Sequence, residues 1–347
     1  MSAHPSPLTV SSPDVQASRP STRVSLSRVG VTGVEKVIRL QVNGSEQLYF
    51  ADLECLVDLN PEQAGVHMSR FEEVVGEAID GVVLREAPLR AETLAAHIAS
   101  SVRESQQGLR AEVSVAARYP ETMSTPVSGQ TTQEIYTLFG TAVASERGTR
   151  TLTGVEAQGM TACPCAQEMV AGVARDRLAE QGFDEEEVER AIEAVPIATH
   201  NQRGVGRLYV GCPEGCDADI DARELLHIVE QSMSSEIYEL MKRPDELAVV
   251  EKAHSQPRFV EDCVREMIRR VVESYDQLDP EAFVMARQEN LETIHRHNVV
   301  AERYGSFDEL RRELRTGEHL PRHLTMREWL EAPICGRGTR PAAAGRD

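Results

Sequence analysis

The chain has 347 residues, 41% of them hydrophobic, and sets 37 basic against 56 acidic side chains for a formal net charge of −19. No apolar stretch approaches the ~20 residues a membrane helix needs, and an acidic shell disfavours nucleic acid and anionic lipid surfaces, which both call for a basic footprint. Lysine occurs only at positions 36, 242 and 252; acidic charge spread along the chain in this way reads as adaptation to concentrated salt, where a Debye length of about 3 Å at 1 M silences self-repulsion, ahead of an acidic binding face.

Residues 1–27, rich in Ser and Pro, read as a disordered leader without the charged start and apolar core of a secretory signal. The expected compartment is the cytoplasm, where thiols stay reduced. An odd total of 7 cysteines then points to metal binding or catalysis ahead of a disulfide framework.

Length allows one large or two ordinary domains, and the pattern suggests two similar halves, 28–158 and 159–332, with a flexible tail over 333–347. In the first half, "VEKVIRLQV" and "QLYFADLECLVDL" flank Asn43-Gly44, a strong hairpin signal. "SRFEEVVGEAI" and "AETLAAHIASSVRE" carry helical spacing with Glu-rich first turns. "LRAEVSVAARY", "EIYTLFGTAVAS" and "TLTGVEAQGM" show the period-2 runs of strands.

The second half repeats this grammar more loosely. Helices are expected at "AQEMVAGVARDRLAEQG", "DEEEVERAIEAV", "ARELLHIVEQSMSSEIYELM" and "PRFVEDCVREMIRRVVESY", and strands at "GRLYVGC" and "EAFVMARQEN". Because strands and helices segregate, the expected class is α+β, with antiparallel sheets and helices on one face.

Most ligand-type residues of the second half fall in four stretches: Cys163 and Cys165 in "TACPCAQEM", His200 in "ATHNQRG", Glu246 in "MKRPDE", and Glu292, His295 and His297 in "ENLETIHRHN". A mixed Cys, His and Glu set suits a catalytic metal site, where three protein ligands leave one position open; closed structural sites favour four Cys or His. Cys163 and Cys165 would share a face if their segment were extended. His295 and His297 stand at helix-like spacing beside a carboxylate. A rival reading joins Cys163 and Cys165 to Cys212 and Cys216 of "GCPEGC" as a four-thiolate zinc site in a non-catalytic interaction protein, against knuckle spacing that usually has two intervening residues. Cys55, Cys263 and Cys335 read as small hydrophobes or surface thiols, and His67, His97, His227 and His254 as solvated or core imidazoles.

Taken in order, "GVHMSRF", "TACPCAQ", "THNQRG", "KRPDE", "PRFVEDCVRE" and "ENLETIHRHN" resemble the type IB GTP cyclohydrolase family over roughly residues 28–330. Bacterial members place their metal-site His about a dozen residues after the first Cys; here 37 positions separate Cys163 from His200, which resembles the archaeal branch, also called GTP cyclohydrolase IV. The resemblance implies a tunnelling fold with two modules in one chain. It also implies homo-oligomers, dimers or tetramers, with active sites at subunit interfaces.

The cofactor it implies is one divalent metal per subunit, Fe(II) in the archaeal branch, with zinc or manganese as possible substitutes. By motif, Cys163, His200 and Glu246 match the metal positions, and Glu292 falls beside them. Cys165 matches a thiol needed for turnover, Glu261 the carboxylate that holds guanine, and His295 and His297 an acid/base pair. Arg70 and Arg203 offer forked donors for the triphosphate, with a surface ion pair as the alternative. The implied reaction opens the guanine ring of GTP at C8 to give 7,8-dihydroneopterin 2′,3′-cyclic phosphate, formate and pyrophosphate, at the head of pterin cofactor synthesis (methanopterin or folate). The alternative product is 7,8-dihydroneopterin triphosphate.

Overall fold

The computed structural model describes residues 14–42, 45–83, 90–216 and 218–332. β1 (Leu26–Val42) and β2 (Ser45–Leu59) form the expected antiparallel hairpin, whose Asn43-Gly44 tip lies outside the described residues, as does the tail 333–347. There follow α1 (Met68–Val83), α2 (Ala91–Gln106), β3 (Arg110–Ser124), β4 (Thr131–Ser145) and β5 (Gly148–Ala162). A helical hairpin, α3 (Pro164–Glu180) and α4 (Glu185–Ala194), leads to β6 (Asn201–Cys212), α5 (Ala222–Gln231) and β7 (Ser235–Glu236). The chain ends in α6 (Arg243–Ser255), α7 (Val260–Ser274), β8 (Phe283–Leu291), β9 (Val299–Ser306), α8 (Phe307–Thr316) and α9 (Met326–Glu331).

All strands pair antiparallel in one 9-stranded sheet of order β1-β2-β3-β4-β5-β6-β8-β9, with β7 attached to β5. This confirms the α+β class. The element order strand, strand, helix, helix, strand, strand occurs twice, as β1-β2-α1-α2-β3-β4 and, with α3, α4, β7 and α6 inserted, as β5-β6-α5-α7-β8-β9. The sheet runs unbroken through both, and the expected 158/159 divide falls inside β5.

Alternation along the strands explains the layers. β3 buries Ala111, Val113, Val115 and Ala117 under α1 and α2, whose apolar rows Phe71-Val75-Ala78 and Leu94-Ile98-Val102 recur at helical spacing. Gly140 of β4 lets the first turn of α2 sit on the sheet, since a Cβ there would lie 2.1 Å from the carbonyl carbon of Ala91. Further along the same face, Val155, Leu208, Val210, Val284 and Ala286 pack against Leu225 and Val229 of α5 and Val264, Met267 and Val271 of α7. Side chains of this size are each worth roughly 1.5–3 kcal/mol when fully buried, as an upper bound.

The opposite face carries a smaller core. Trp329 and Leu330 of α9 pack there on Val143, Leu152 and Phe283. The expectation of helices on one face therefore holds for α1, α2, α5 and α7 but not for α9. The α3–α4 pair stands apart: Ala171 and Val188 are its only buried residues, and the two helices pack mainly on each other.

Two expectations fail locally. Residues 14–27 are no loose leader: the Gln16 and Ser18 carbonyls accept from the Ala64 and Gly65 amides, and β1 starts at Leu26; residues 1–13 lie outside the description. The long helix expected to run to Met241 stops at Gln231. Serine competes locally for backbone partners: the Ser232 hydroxyl donates to the Ile228 carbonyl (2.7 Å), and Ser234 Oγ accepts from the Ala162 amide (3.1 Å). The chain then leaves as β7 along Gly159 and Met160 of β5.

Candidate active site

The register of β5, β6 and β8 builds the site. Ala162 lies opposite Asn201, and Arg203 opposite Leu291, so Cys163, His200 and Glu292 occupy adjoining positions just beyond three strand ends. The Cys163 amide donates to the His200 carbonyl (3.2 Å), and the Thr199 hydroxyl to the Cys163 carbonyl (2.9 Å). His200 Nδ1 lies 3.1 Å from Gln202 Oε1 and 3.8 Å from a carboxylate oxygen of Glu292, whose side chain is buried.

Cys163 and Cys165 do not share an extended segment. Cys163 is the N-cap of α3, its sulfur accepting from the Ala166 amide at 3.4 Å; Pro164 opens the helix and Cys165 follows on its exposed first turn. The Gln167 side chain ties that turn down, donating to the Ile197 (2.8 Å) and His254 (2.7 Å) carbonyls.

The other second-half candidates reach the same end of the sheet from separate elements. The β3–β4 turn is held there by Asp245, a fully buried carboxylate accepting from the Val127 and Ser128 amides (2.9 and 2.8 Å), the Ser128 hydroxyl (2.6 Å) and the Lys242 amide (2.8 Å). Those donors hold its carboxyl below the usual range, outweighing the opposing effect of burial. The residue fixes the first turn of α6 and hence the exposed Glu246 beside it. The Arg258 amide donates to the Ala162 carbonyl (3.0 Å), which brings the start of α7, with Glu261, to this end. Arg203 is exposed on the sheet face opposite the Leu208 and Val210 core positions.

His295 and His297 lie in the β8–β9 loop, not on a helix, with ring centroids 5.2 Å apart and planes 21° from parallel. Glu261 lines a cavity of about 310 Å³ over β9 and α8, with Arg265, Arg303 and Glu313. A cavity of about 690 Å³ lies on the open sheet face among Arg207, Tyr209, Arg287 and Tyr304, and no candidate residue lines it. Arg70 belongs elsewhere: it donates to the Ser105 carbonyl at the end of α2 (3.1 Å), by the start of β3 and so at the far end of the sheet.

Cys163 Sγ, the His200 imidazole and the Glu292 carboxylate are donors of the right kinds for a catalytic metal site, and Gln202 engages His200 at Nδ1, the ring nitrogen other than Nε2. Among the described residues, however, no three His, Cys, Asp or Glu side chains already converge as a metal cluster. The four-thiolate rival fails on distance: Cys212 lies opposite Thr151 near the start of β5, and Cys163 follows its end, a separation of roughly 40 Å at about 3.3 Å per residue. Burial raises the Cys212 thiol, and its contact with Cys216 raises it further. Burial also pushes Cys55 and Cys263 up to about 12, in keeping with inert core thiols. Cys335 lies outside the described residues.

The residues that sequence reasoning missed are Gln202, Thr161 and Asp245. All three lay in motifs already singled out, "TACPCAQ", "THNQRG" and "KRPDE", beside the more reactive types that drew notice.

Similarity to known proteins bears on the same residues. Among solved structures, a uricase from Arthrobacter globiformis superposes with a TM-score of 0.51 at 10% identity, covering 87% of this chain and 98% of that one, which speaks to the fold alone. GTP cyclohydrolase MptA of Methanococcus maripaludis strain C6 is 42% identical over 310 residues, 87% of this chain and 98% of its own length. The protein of that name from Methanocaldococcus jannaschii is 39% identical over 307 residues, with 87% and 97% covered. These relatives come from methanogens, not halophiles. The model of a family described as "Type I GTP cyclohydrolase folE2" matches residues 12–301, a span that takes in Cys163, His200, Glu292 and the His295–His297 loop. By that match and those relatives alike, the chain belongs to the type I GTP cyclohydrolase family.

Proposed function

We propose that the protein is a metal-dependent GTP cyclohydrolase that opens the guanine ring of GTP at C8. The observation that carries this reading is the meeting of Cys163, His200 and Glu292 at three adjoining strand ends, in a chain of this family. Cys163 and His200 hold a divalent metal, Fe(II) by resemblance to the archaeal branch, with zinc or manganese as substitutes; Glu292, 3.8 Å from His200, and by the resemblance Glu246 are the candidate carboxylate ligands. When bound, such an ion supplies Lewis acidity, lowering the pKa of water from 15.7 towards about 7 and so providing a nucleophile at neutral pH.

The chain's own side chains do the rest. Glu261 accepts from guanine N1–H and the exocyclic amine, a pairing that adenine cannot supply. His295 and His297, stacked on a loop free to meet substrate, deliver protons to N7 and N9 as C8 departs as formate. Cys165, on the first turn of α3, serves turnover beside the metal ligand. Arg203, and Arg70 from a neighbouring subunit, take the triphosphate oxygens.

A homo-oligomer, dimer or tetramer, with sites between subunits accords with three features. No three-ligand cluster is complete among the described residues of one chain, Arg70 stands at the far end of the sheet, and β1 and β9 are free edges. The twice-repeated strand and helix order and the uricase likeness support two tunnelling-fold modules on one sheet. The divide then belongs at the β4–β5 turn, at 146–147, ahead of 158/159. Among the described residues no helix is long and apolar enough to cross a membrane; the proposed compartment is the cytoplasm.

The proposed product is 7,8-dihydroneopterin 2′,3′-cyclic phosphate, the first intermediate of a methanopterin or folate route; the triphosphate is the second reading. Incubation of the protein with GTP and Fe(II) without oxygen, followed by mass analysis of the pterin, tests both. Absence of any pterin would reject the function, and a triphosphate mass would select the second reading.

A further inference from the structure

We infer that Gln202, backed by Thr161, is a positioning residue for His200: it fixes which ring nitrogen carries the proton and which is turned outward as a donor. This role presupposes His200 as a metal ligand, as proposed above. The two residues lie directly opposite each other on β6 and β5. Thr161 is fully buried and Gln202 is 5% exposed. The Gln202 amide nitrogen donates to Thr161 Oγ1 at 3.0 Å, and its carbonyl oxygen lies 3.1 Å from His200 Nδ1.

The chemistry follows from what each atom can do. With the NH₂ end engaged by Thr161, the oxygen end faces the ring, and a carbonyl oxygen only accepts. Nδ1 must then carry the hydrogen, and a neutral imidazole has one N–H, so Nε2 keeps its lone pair for a ligand. The Glu292 oxygen, 3.8 Å from the same Nδ1, is too far for a hydrogen bond and is likewise an acceptor.

Packing alone does not account for an amide at this place. The helix-facing positions of β6 run Gln202, Gly204, Gly206, Leu208 and Val210, of which only Gln202 has a polar side chain. A buried amide is costly unless its partners are made. Here both ends find one, in a chain of three groups that ends on His200.

The test is Zn(II) affinity of the full-length metal-free protein, measured by competition with a chromophoric chelator. Gln202→Leu should weaken binding by about 10- to 100-fold, the usual cost of losing an outer partner of a ligating His. Gln202→Glu, which keeps an acceptor on Nδ1, should retain wild-type affinity or better, and Thr161→Val should weaken binding in the same direction by less. His200→Ala is the control for the ligand assignment itself. If His200→Ala loses zinc while Gln202→Leu binds like wild type, Glu292 suffices to orient the ring and the positioning role is wrong, although the site stands. If His200→Ala also binds like wild type, the ligand assignment and the positioning role fall together. A Gln202→Glu loss as deep as that of Gln202→Leu would mean that the amide only packs, which overturns the role as well. Should Gln202→Leu not fold, Thr161→Val carries the test, and unchanged affinity in that variant overturns it.

Discussion

Glu230, at the end of α5, offers the best-defined perturbation in the fold. Its side chain is buried and accepts from the Tyr136 hydroxyl at 2.5 Å. Burial, and to a lesser degree the charges of Glu236, Glu134 and Glu121, raise its pKa from 4.5 to about 7, against the lowering effect of the Tyr136 hydrogen bond. Between those two values the unfolded chain releases the proton while the folded chain keeps it. Stability therefore falls as pH rises through this window, with no loss below about 4.5 and the full loss above about 7. At about 1.36 kcal/mol for each pH unit of separation, the loss at pH 8 is about 3 kcal/mol. Glu230→Gln keeps an oxygen for the Tyr136 hydroxyl and cannot ionise. Urea unfolding of both proteins in molar KCl should show near-equal stability at pH 4.5 and a variant more stable by up to about 3 kcal/mol at pH 8. An equal gap at both pH values, or a variant that is weaker at pH 8, would refute the reasoning.

Cys163→Ala and His200→Ala should each lose stoichiometric metal and activity while the fold largely survives, because a catalytic site contributes less to folding than a structural zinc site does. Metal analysis and circular dichroism check both halves, and a variant that kept metal and activity would remove that residue from the site. Cys165→Ala should keep its metal and still bind GTP yet lose nearly all product formation, at tenfold in rate per ~1.4 kcal/mol of barrier; metal loss in that variant would point to a shared two-thiolate site. With net charge −19 and only three lysines, at 36, 242 and 252, the melting temperature should climb from dilute buffer to molar KCl, and a flat or falling curve would reject the salt reading.

Where one physical rule dominated, the elements were legible in advance. Alternation in "LRAEVSVAARY" became β3 with every second residue buried, and the Asn43-Gly44 signal joined two strands that do pair. The overrun at "SMSSEIYELM" shows the opposite case: its apolar spacing still suits a helix, but Ser234 accepts from the Ala162 amide at the end of β5, and pairing with β5 takes over. Position α9 could not have been placed on the open face from sequence, since its anchor, Trp329 against Phe283 and Arg150, is a contact between distant segments.

For the candidate site, residue types and motif order singled out Cys163, His200, Glu246 and Glu292, and strand register places Cys163, His200 and Glu292 at adjoining strand ends, a proximity that sequence distance hides. The shared face of Cys163 and Cys165 was conditional on an extended segment, whereas the segment holds the cue for a helix start, a proline at the first helical position after a side chain able to cap. Arg70 stands at the far end of the sheet from the other candidates, and nothing in "HMSR" reveals that its guanidinium meets the Ser105 carbonyl there.

The central claim, that this metal site opens guanine at C8, is tested most directly with GTP isotopically labelled at C8. Protein reconstituted with Fe(II) without oxygen should release the label as formate in step with pterin formation, and the Cys163→Ala protein should release none. Label retained in the purine with wild-type protein, or formate released equally by the Cys163→Ala protein, would contradict the account.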